Sequence, residues 1–425
     1  MRFNTVSQWL AWQETLNPKE IELGLERVAQ VYALLGLVSF KPVVISVAGT
    51  NGKGSCVALL SAILTAAGYR VGAYTSPHLL RYNERIRLND RDIDDDSLCR
   101  AFQTVDDARA ATPLTYFEFG TLAALQIYAT AGVEVMILEV GLGGRLDAVN
   151  IMDADVALIS SIGIDHTDWL GPDRDSIARE KAGIMRPGRP LVCGEVQPPQ
   201  VIFQLATSIG SPVDLVQRDF HWQHHNNNWS WSGRELHYES LPRPALPGEQ
   251  QLQNAACVLA VLERLHDKLP VTQAHLQVGL KQVRLAGRLQ IVGRAPLQVV
   301  DVAHNPQAAA VLAGQLPTLI QREQGDAEKI HAVFGVLADK DIAGIIVALA
   351  PVIDVWHVAN LPVARSAKAA HVVALLQAVG ITAVQEHGSI AEALSATLAK
   401  AGARDCILVC GSFYTVAEVL LPRGA

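Results

Sequence analysis

The chain has 425 residues, 50% hydrophobic and 18% charged, enough apolar material to bury a large core and divide into two domains. That balance, with a slightly positive mean hydropathy, excludes a disordered chain, which would be charge-rich and apolar-poor. The net charge of −7 comes from 42 acids and 35 bases without the basic stripe of a nucleic-acid binder. The most apolar runs, such as residues 43–48 and 133–140, are of strand length and too short for a membrane span.

The N-terminus has no charged-then-apolar signal pattern, so a cytoplasmic protein is expected. Residues 43–47 read as a buried strand, and residues 55–67 carry apolar residues at helical spacing until Gly68 stops them. Further strands are expected at 71–74, 133–140 and 155–160, separated by helix-length segments. Such alternation predicts an α/β fold with a parallel sheet covered by helices.

Residues 219–240 have a different texture. FHWQHH and WSWSG flank Asn226, Asn227 and Asn228, the pattern of an antiparallel hairpin with an asparagine turn. His221, His224 and His225 invite a metal reading, but strand alternation puts His221 and His225 on a polar face opposite Phe220 and Trp222, and the plain hairpin is preferred. From about residue 298 the alternation restarts, with strands at 297–301, 330–336, 355–358 and 406–410 and helices at 339–350, 367–378 and 389–401. This predicts a smaller Rossmann-like α/β domain over 287–425, hinged near Ala286, Gly287 and Arg288, after a first domain over 1–286. The six cysteines, Cys56, Cys99, Cys193, Cys257, Cys406 and Cys410, form no CxxC pair and read as buried thiols.

The first strand runs into Gly49, Thr50, Asn51, Gly52, Lys53, Gly54 and Ser55 and then a helix. Glycines let a loop curl its N–H groups toward phosphate oxygens, the helix N-terminus adds positive charge, and Lys53 supplies a mobile cation for the β- and γ-phosphates. The loop is shorter than GxxxxGK[ST], and Gly54 stands where a magnesium-binding Ser or Thr normally follows. Magnesium must therefore find an oxygen elsewhere.

The short GTNGKGS loop followed by TSPHL resembles the Mur ligase superfamily, and within it the folate branch of bacterial dihydrofolate synthase/folylpolyglutamate synthases. The same order of motifs runs through GLERV (24–28), SPHLLRYNERI (76–86), TYFEFGT (115–121), ILEVGLGGRLDAVN (137–150), DHTDWLGPDRDSIAREKAGI (165–184), GR (287–288), DVAHNP (301–306) and CGSFYTVAEV (410–419). The resemblance implies an N-terminal P-loop ATPase domain with a parallel sheet and a small antiparallel sheet, and a C-terminal Rossmann-like domain. It also implies the reaction: ATP phosphorylates a pteroate-type carboxylate, the amine of L-glutamate captures the acyl phosphate, and ADP and phosphate leave.

Carried onto this sequence, the resemblance gives Ser76, Glu139 and His166 as Mg²⁺ ligands over two sites, so that Ser76 supplies the oxygen Gly54 cannot. Nitrogen ligation by His166 is unusual for magnesium and rests on the resemblance alone. Lys181, in a helix over 175–184, reads by itself as a surface lysine paired with an acid one turn away; the family pattern makes it a carbamylated lysine that also holds metal. The pterin substrate is implied at Thr115, Tyr116, Phe117 and Glu118 and at Leu146, Asp147 and Ala148, with Gly24, Leu25, Glu26 and Arg27 nearby. Asp147 suits the adjacent N–H donors of a pterin and Phe117 its flat ring, whereas Phe119 reads as core. Asn254, Arg288 and Asp301 match ATP-contacting positions, and His304 and Ser412 match positions near the incoming glutamate. Small-molecule partners and a monomer are expected. A monofunctional folylpolyglutamate synthase stays open, as does, further off, a Mur-type ligase acting on a cell-wall precursor.

Overall fold

The computed structural model describes residues 1–19, 21–226 and 228–421. They form two compact units: Met1–Ala245 with Gln251–Arg284, and Leu246–Gln250 with the chain from Leu285 onward.

The first unit contains strands β1 (Val43–Ala48), β2 (Val71–Tyr74), β3 (Ile86–Leu88), β4 (Arg91–Asp92), β5 (Val135–Glu139), β6 (Val156–Ile159), β7 (Leu191–Cys193) and β8 (Val213–Leu215). They make one sheet in the order β4-β3-β2-β5-β1-β6-β7-β8. From β2 to β8 every pairing is parallel, while β3 and β4 add an antiparallel edge. The central strands are buried along nearly their whole length, which is why they read as continuous apolar runs rather than alternating ones. Helix Lys53–Ala66 buries ten of its residues because it lies between this sheet and helix Gln273–Gln282. Gly279 makes that crossing possible: a Cβ there would stand 2.6 Å from the Ile63 Cα. Phe119 is fully buried among Trp9, Trp12 and Phe102, as a core residue should be.

The expected hairpin is present with one strand more. Strands β9 (His221–His225), β10 (Asn228–Ser232) and β11 (His237–Pro242) form a three-stranded antiparallel sheet. Of the asparagine turn, Asn226 takes a positive φ of 48°, and Asn227 lies outside the described residues. The histidines there have ordinary partners: His225 meets the Ser230 hydroxyl at 3.1 Å and His224 meets Arg243 at 2.8 Å.

In the second unit, β12 (Gln290–Arg294), β13 (Leu297–Asp301), β14 (Ile330–Phe334), β15 (Val355–Ala359), β16 (Val384–His387) and β17 (Cys406–Cys410) form a sheet in the order β12-β13-β17-β14-β15-β16. Only β12 runs antiparallel. Helices Ile342–Leu349, Ala369–Ala378 and Ile390–Leu398 occupy the expected helical stretches but start later, in two cases where Asp341 or Ser389 caps the first turn. Cys406 and Cys410 are fully buried in the core with Leu408, all on one face of β17. Among the described residues no helix is long and apolar enough to cross a membrane.

Candidate active site

The phosphate loop follows β1 as the sequence requires. Gly49 and Gly52 take φ of 153° and 86°, and a Cβ on Gly52 would lie 2.8 Å from Asn254 Oδ1. Glycine is needed there for backbone conformation and for close approach alike. The helix begins at Lys53, two residues earlier than its apolar pattern starts. Its first internal bond runs from Cys56 N–H to the Gly52 carbonyl, so the amides of Gly54 and Ser55 lie ahead of the ladder, where an anion would meet them.

Other loop groups hold the loop in place. Thr50 donates its N–H to the Ser161 carbonyl, and its hydroxyl both donates to and accepts from Gly163. The Asn51 N–H donates to Ser161 Oγ. Lys53 Nζ curls back to the carbonyls of Gly49 at 2.9 Å and Thr50 at 3.3 Å. Asn254, far off in sequence, is brought beside the loop by helix Gln250–Arg264 and is anchored by donating to Gln251 Oε1.

Glu139 ends β5 at the carboxyl edge of the sheet, only 5% exposed, and accepts the Ser76 N–H at 3.3 Å. Two residues assigned to magnesium from separate motifs are thus neighbours. His166 has a positive φ of 53° and precedes helix Thr167–Leu170. Among the described residues no group of three or more His, Cys, Asp or Glu forms a metal cluster. A divalent ion here would take few protein ligands and keep waters, which fits magnesium with a hard carboxylate oxygen such as that of Glu139.

Lys181 lies in helix Arg174–Ala182 and is only 4% exposed, which excludes the surface-lysine reading. Burial, and then the like charge of Lys53, lowers its pKa to about 7, with Asp165 and Asp147 pulling the other way. The glycines after β5 let this helix come close: a Cβ on Gly144 would meet the carbonyls of Glu180 and Lys181 at 2.9 and 3.0 Å.

Asp147 is buried and pushed up to about 6 by its burial, against the pull of backbone hydrogen bonds and Lys53. It accepts from the amides of Leu142 at 2.8 Å and Val149 at 3.1 Å, leaving lone pairs for a further donor. Phe117 stands across Gly141 from it and meets the Tyr74 ring at 5.8 Å. Gly24 N–H reaches the Leu146 carbonyl at 3.4 Å, joining two of the segments assigned to the pterin.

Thr115, Glu118 and Arg27 have a different local duty. Thr115 and Glu118 cap each other at the start of helix Tyr116–Ala131, and Glu118 also receives Arg27 at 2.9 Å. These three side chains hold the start of that helix in place. Glu26 is exposed at the start of helix Glu26–Leu34.

The second unit gathers its assigned residues at the carboxyl ends of β13 and β17. Asp301 is buried, with its pKa raised by that burial against the pull of Arg288, and it accepts from the amides of Leu289 and Ala303. Arg288 lies over the Phe413 ring at 5.4 Å, and His304 meets the same ring at 6.0 Å. Ser412 is 2% exposed and caps helix Phe413–Leu420 by accepting the Thr415 N–H at 3.0 Å. Phe413, the ring around which Arg288 and His304 gather, escaped sequence reasoning; its place directly after Ser412 at a strand-to-helix turn was the available signal.

Residues 47–262 match the Mur ligase middle domain and residues 287–413 the glutamate ligase domain of Mur ligases. The chain is 44% identical to the Escherichia coli (strain K12) dihydrofolate synthase/folylpolyglutamate synthase, over 98% of this chain and 94% of the relative. A solved Escherichia coli FolC in complex with DHPP and ADP superposes with a TM-score of 0.91 at 43% identity, covering 98% of this chain and 97% of the other. A bifunctional folylpolyglutamate synthase/dihydrofolate synthase with Mn, AMPPNP and L-glutamate bound gives 0.90 at 43% identity, with the same coverage. The chain therefore belongs to the Mur ligase family, in its dihydrofolate synthase/folylpolyglutamate synthase branch, and is an ATP-dependent ligase of folate metabolism.

Proposed function

We propose that this chain, acting as a cytoplasmic monomer, joins L-glutamate to dihydropteroate, giving dihydrofolate, and to the glutamyl chains of folates. One oxygen of the acceptor carboxylate attacks the γ-phosphorus of ATP and displaces ADP. The neutral amine of glutamate then attacks the acyl carbon, loses a proton, and phosphate departs as the amide forms. The observation that carries this reading is the joining of Ser76 to Glu139 at the sheet's carboxyl edge, with the buried Lys181 under the influence of both Lys53 and Asp147. These neighbours support a reading in which the phosphate loop and the segments assigned to the pterin serve one reaction.

In this reading residues 49–55 and Asn254 hold the nucleotide, and Arg288 and Asp301 are nucleotide-contacting residues by the family pattern. Lys53 stabilises charge on the transferring phosphoryl group. Asp147 and Phe117 hold the pterin, and His304 and Ser412 orient glutamate. Ser76, Glu139, His166 and a carbamylated Lys181 would hold magnesium, which supplies positive charge at the phosphates. Carbamylation turns the buried amine into an anion with two oxygens, releasing one proton as CO₂ adds.

ADP release by the purified chain tests the reading, with dihydropteroate, tetrahydrofolate or a muramyl acid, each with and without L-glutamate. Turnover is expected only with glutamate and a pteroate or folate acid together. ATP hydrolysis indifferent to both substrates, or equal turnover of the muramyl acid, would overturn it. Product masses separate dihydrofolate formation from chain extension, and an inert dihydropteroate would leave a monofunctional folylpolyglutamate synthase.

A further inference from the structure

Arg85 has no role in the reading above, yet it neighbours both the segment of Ser76, assigned to magnesium, and Tyr116, assigned to the pterin. Its carbonyl accepts the Thr75 N–H at 2.9 Å, which fixes it next to the Ser76 segment. Its guanidinium lies 5.2 Å from the Tyr82 ring and 5.6 Å from the Tyr116 ring, and Tyr116 belongs to the segment assigned to the pterin. Nε donates to His78 Nδ1 at 2.8 Å.

A guanidinium has five N–H donors, and among the described residues the partners of Arg85 are one imidazole and two ring faces. Its neighbours in sequence are paired differently. Arg81 meets Asp95 at 2.7 Å, and Arg87 meets Asp92 at 2.9 Å. The adjacent acid, Glu84, is taken up by the amides of Leu79, Leu80 and Arg81. Arg85 is thus a partly buried cation, stacked and aimed by neutral groups, with its terminal fork matched to no carboxylate among the described residues. A fork in that state suits a bidentate carboxylate from outside.

Two substrate carboxylates are candidates. The one that reacts must keep a free oxygen to attack phosphorus, and a tight guanidinium clamp would lower its nucleophilicity. The α-carboxylate of a terminal glutamate stays anionic throughout, and burying it without a partner would be costly. We infer that Arg85 binds the α-carboxylate of the terminal glutamate on a folate acceptor, a group dihydropteroate does not have, and so governs extension of the glutamyl chain. The inference rests on the proposed function.

The test compares tetrahydrofolate with its α-amide, whose γ-carboxylate remains free to react, in the wild-type chain and in Arg85→Gln and Arg85→Lys. Wild type should prefer the free acid by about 10–100-fold in kcat/KM, mainly through KM, the scale of one charge-assisted hydrogen-bonded pair. Arg85→Gln should bring that preference to within about 3-fold, with Arg85→Lys between the two. The loss in Arg85→Gln should also be about 10-fold larger for tetrahydrofolate than for dihydropteroate. A wild-type chain that uses the α-amide as well as the acid overturns the inference without any variant. So does an Arg85→Gln chain that keeps the full preference or loses both acceptors equally, as a purely structural arginine would. Absence of wild-type turnover with every pteroate and folate acid would instead overturn the function beneath it.

Discussion

The two units both place polar residues at the carboxyl ends of parallel strands, but they hold them by different means. In the first unit burial, and then Lys53, lowers the pKa of Lys181 against the pull of Asp165 and Asp147, and Glu139 meets Ser76. In the second the assigned groups are bound to nearby backbone. Asp301 accepts from Leu289 and Ala303, and Ser412 from Thr415. Substitutions of the charged groups Lys53, Lys181 and Glu139 in the first unit should therefore fall on chemistry more than on local order. At Ser412 in the second unit they should fall on stability as well, since that side chain caps a helix.

The largest effect tests the first half of that contrast. Lys53→Ala should lower turnover by about 10²–10³, the scale for removing one electrostatic stabiliser, while the melting temperature moves little. Measured ADP release within a factor of a few of wild type would mean that the triphosphate lies elsewhere. Next comes Lys181. Arginine there stays cationic and cannot form a carbamate, so Lys181→Arg should be as damaging as Lys181→Ala. A small carboxylic acid should partly restore the alanine variant but not the arginine one. Wild-type protein in ¹³C-bicarbonate should show a carbamate carbon signal that both variants lack.

Ser412 sharpens the other half. Ser412→Ala removes a cap and should cost about 0.5–2 kcal/mol, seen as a lower denaturation midpoint alongside any loss of turnover. Ser412→Asn keeps a capping oxygen, so stability should return to near wild type. If turnover returns with it, the serine acts as a cap alone.

The smallest effect concerns a row of imidazoles in the second unit. His357 Nδ1 lies 3.2 Å from His387 Nε2, the His331 ring is 5.7 Å from that of His357, and His331 stands 3.4 Å from Asp405. Burial, followed by the neighbouring His387, His331 and Lys400, lowers the His357 pKa from 6.5 to about 4. The unfolded chain therefore binds more protons than the folded one between those values. Stability should be level above pH 6.5 and fall as pH drops from 6.5 toward 4. Midpoints measured across that range should flatten in His357→Gln; an unchanged acid limb would assign it to other groups.

Much of this molecule is written in short stretches. The phosphate loop follows from two glycines whose φ only glycine adopts readily, set between an apolar strand and a helix. The antiparallel hairpin and the restart of β/α alternation are equally local, because period and turn chemistry act over a few residues. The order of motifs was enough to place the chain in its family.

Other features had to wait for the fold. Nothing near Lys181 in the sequence says that it is buried; that depends on Gly144 letting its helix approach the segment after β5. Nor does the sequence say that Thr115 and Glu118 cap a helix and hold Arg27, that Phe413 gathers Arg288 and His304, or that Arg85 rests between Tyr82 and Tyr116. Each is a meeting of segments fixed by the sum of many weak packing terms over the whole core, and no local pattern contains that sum.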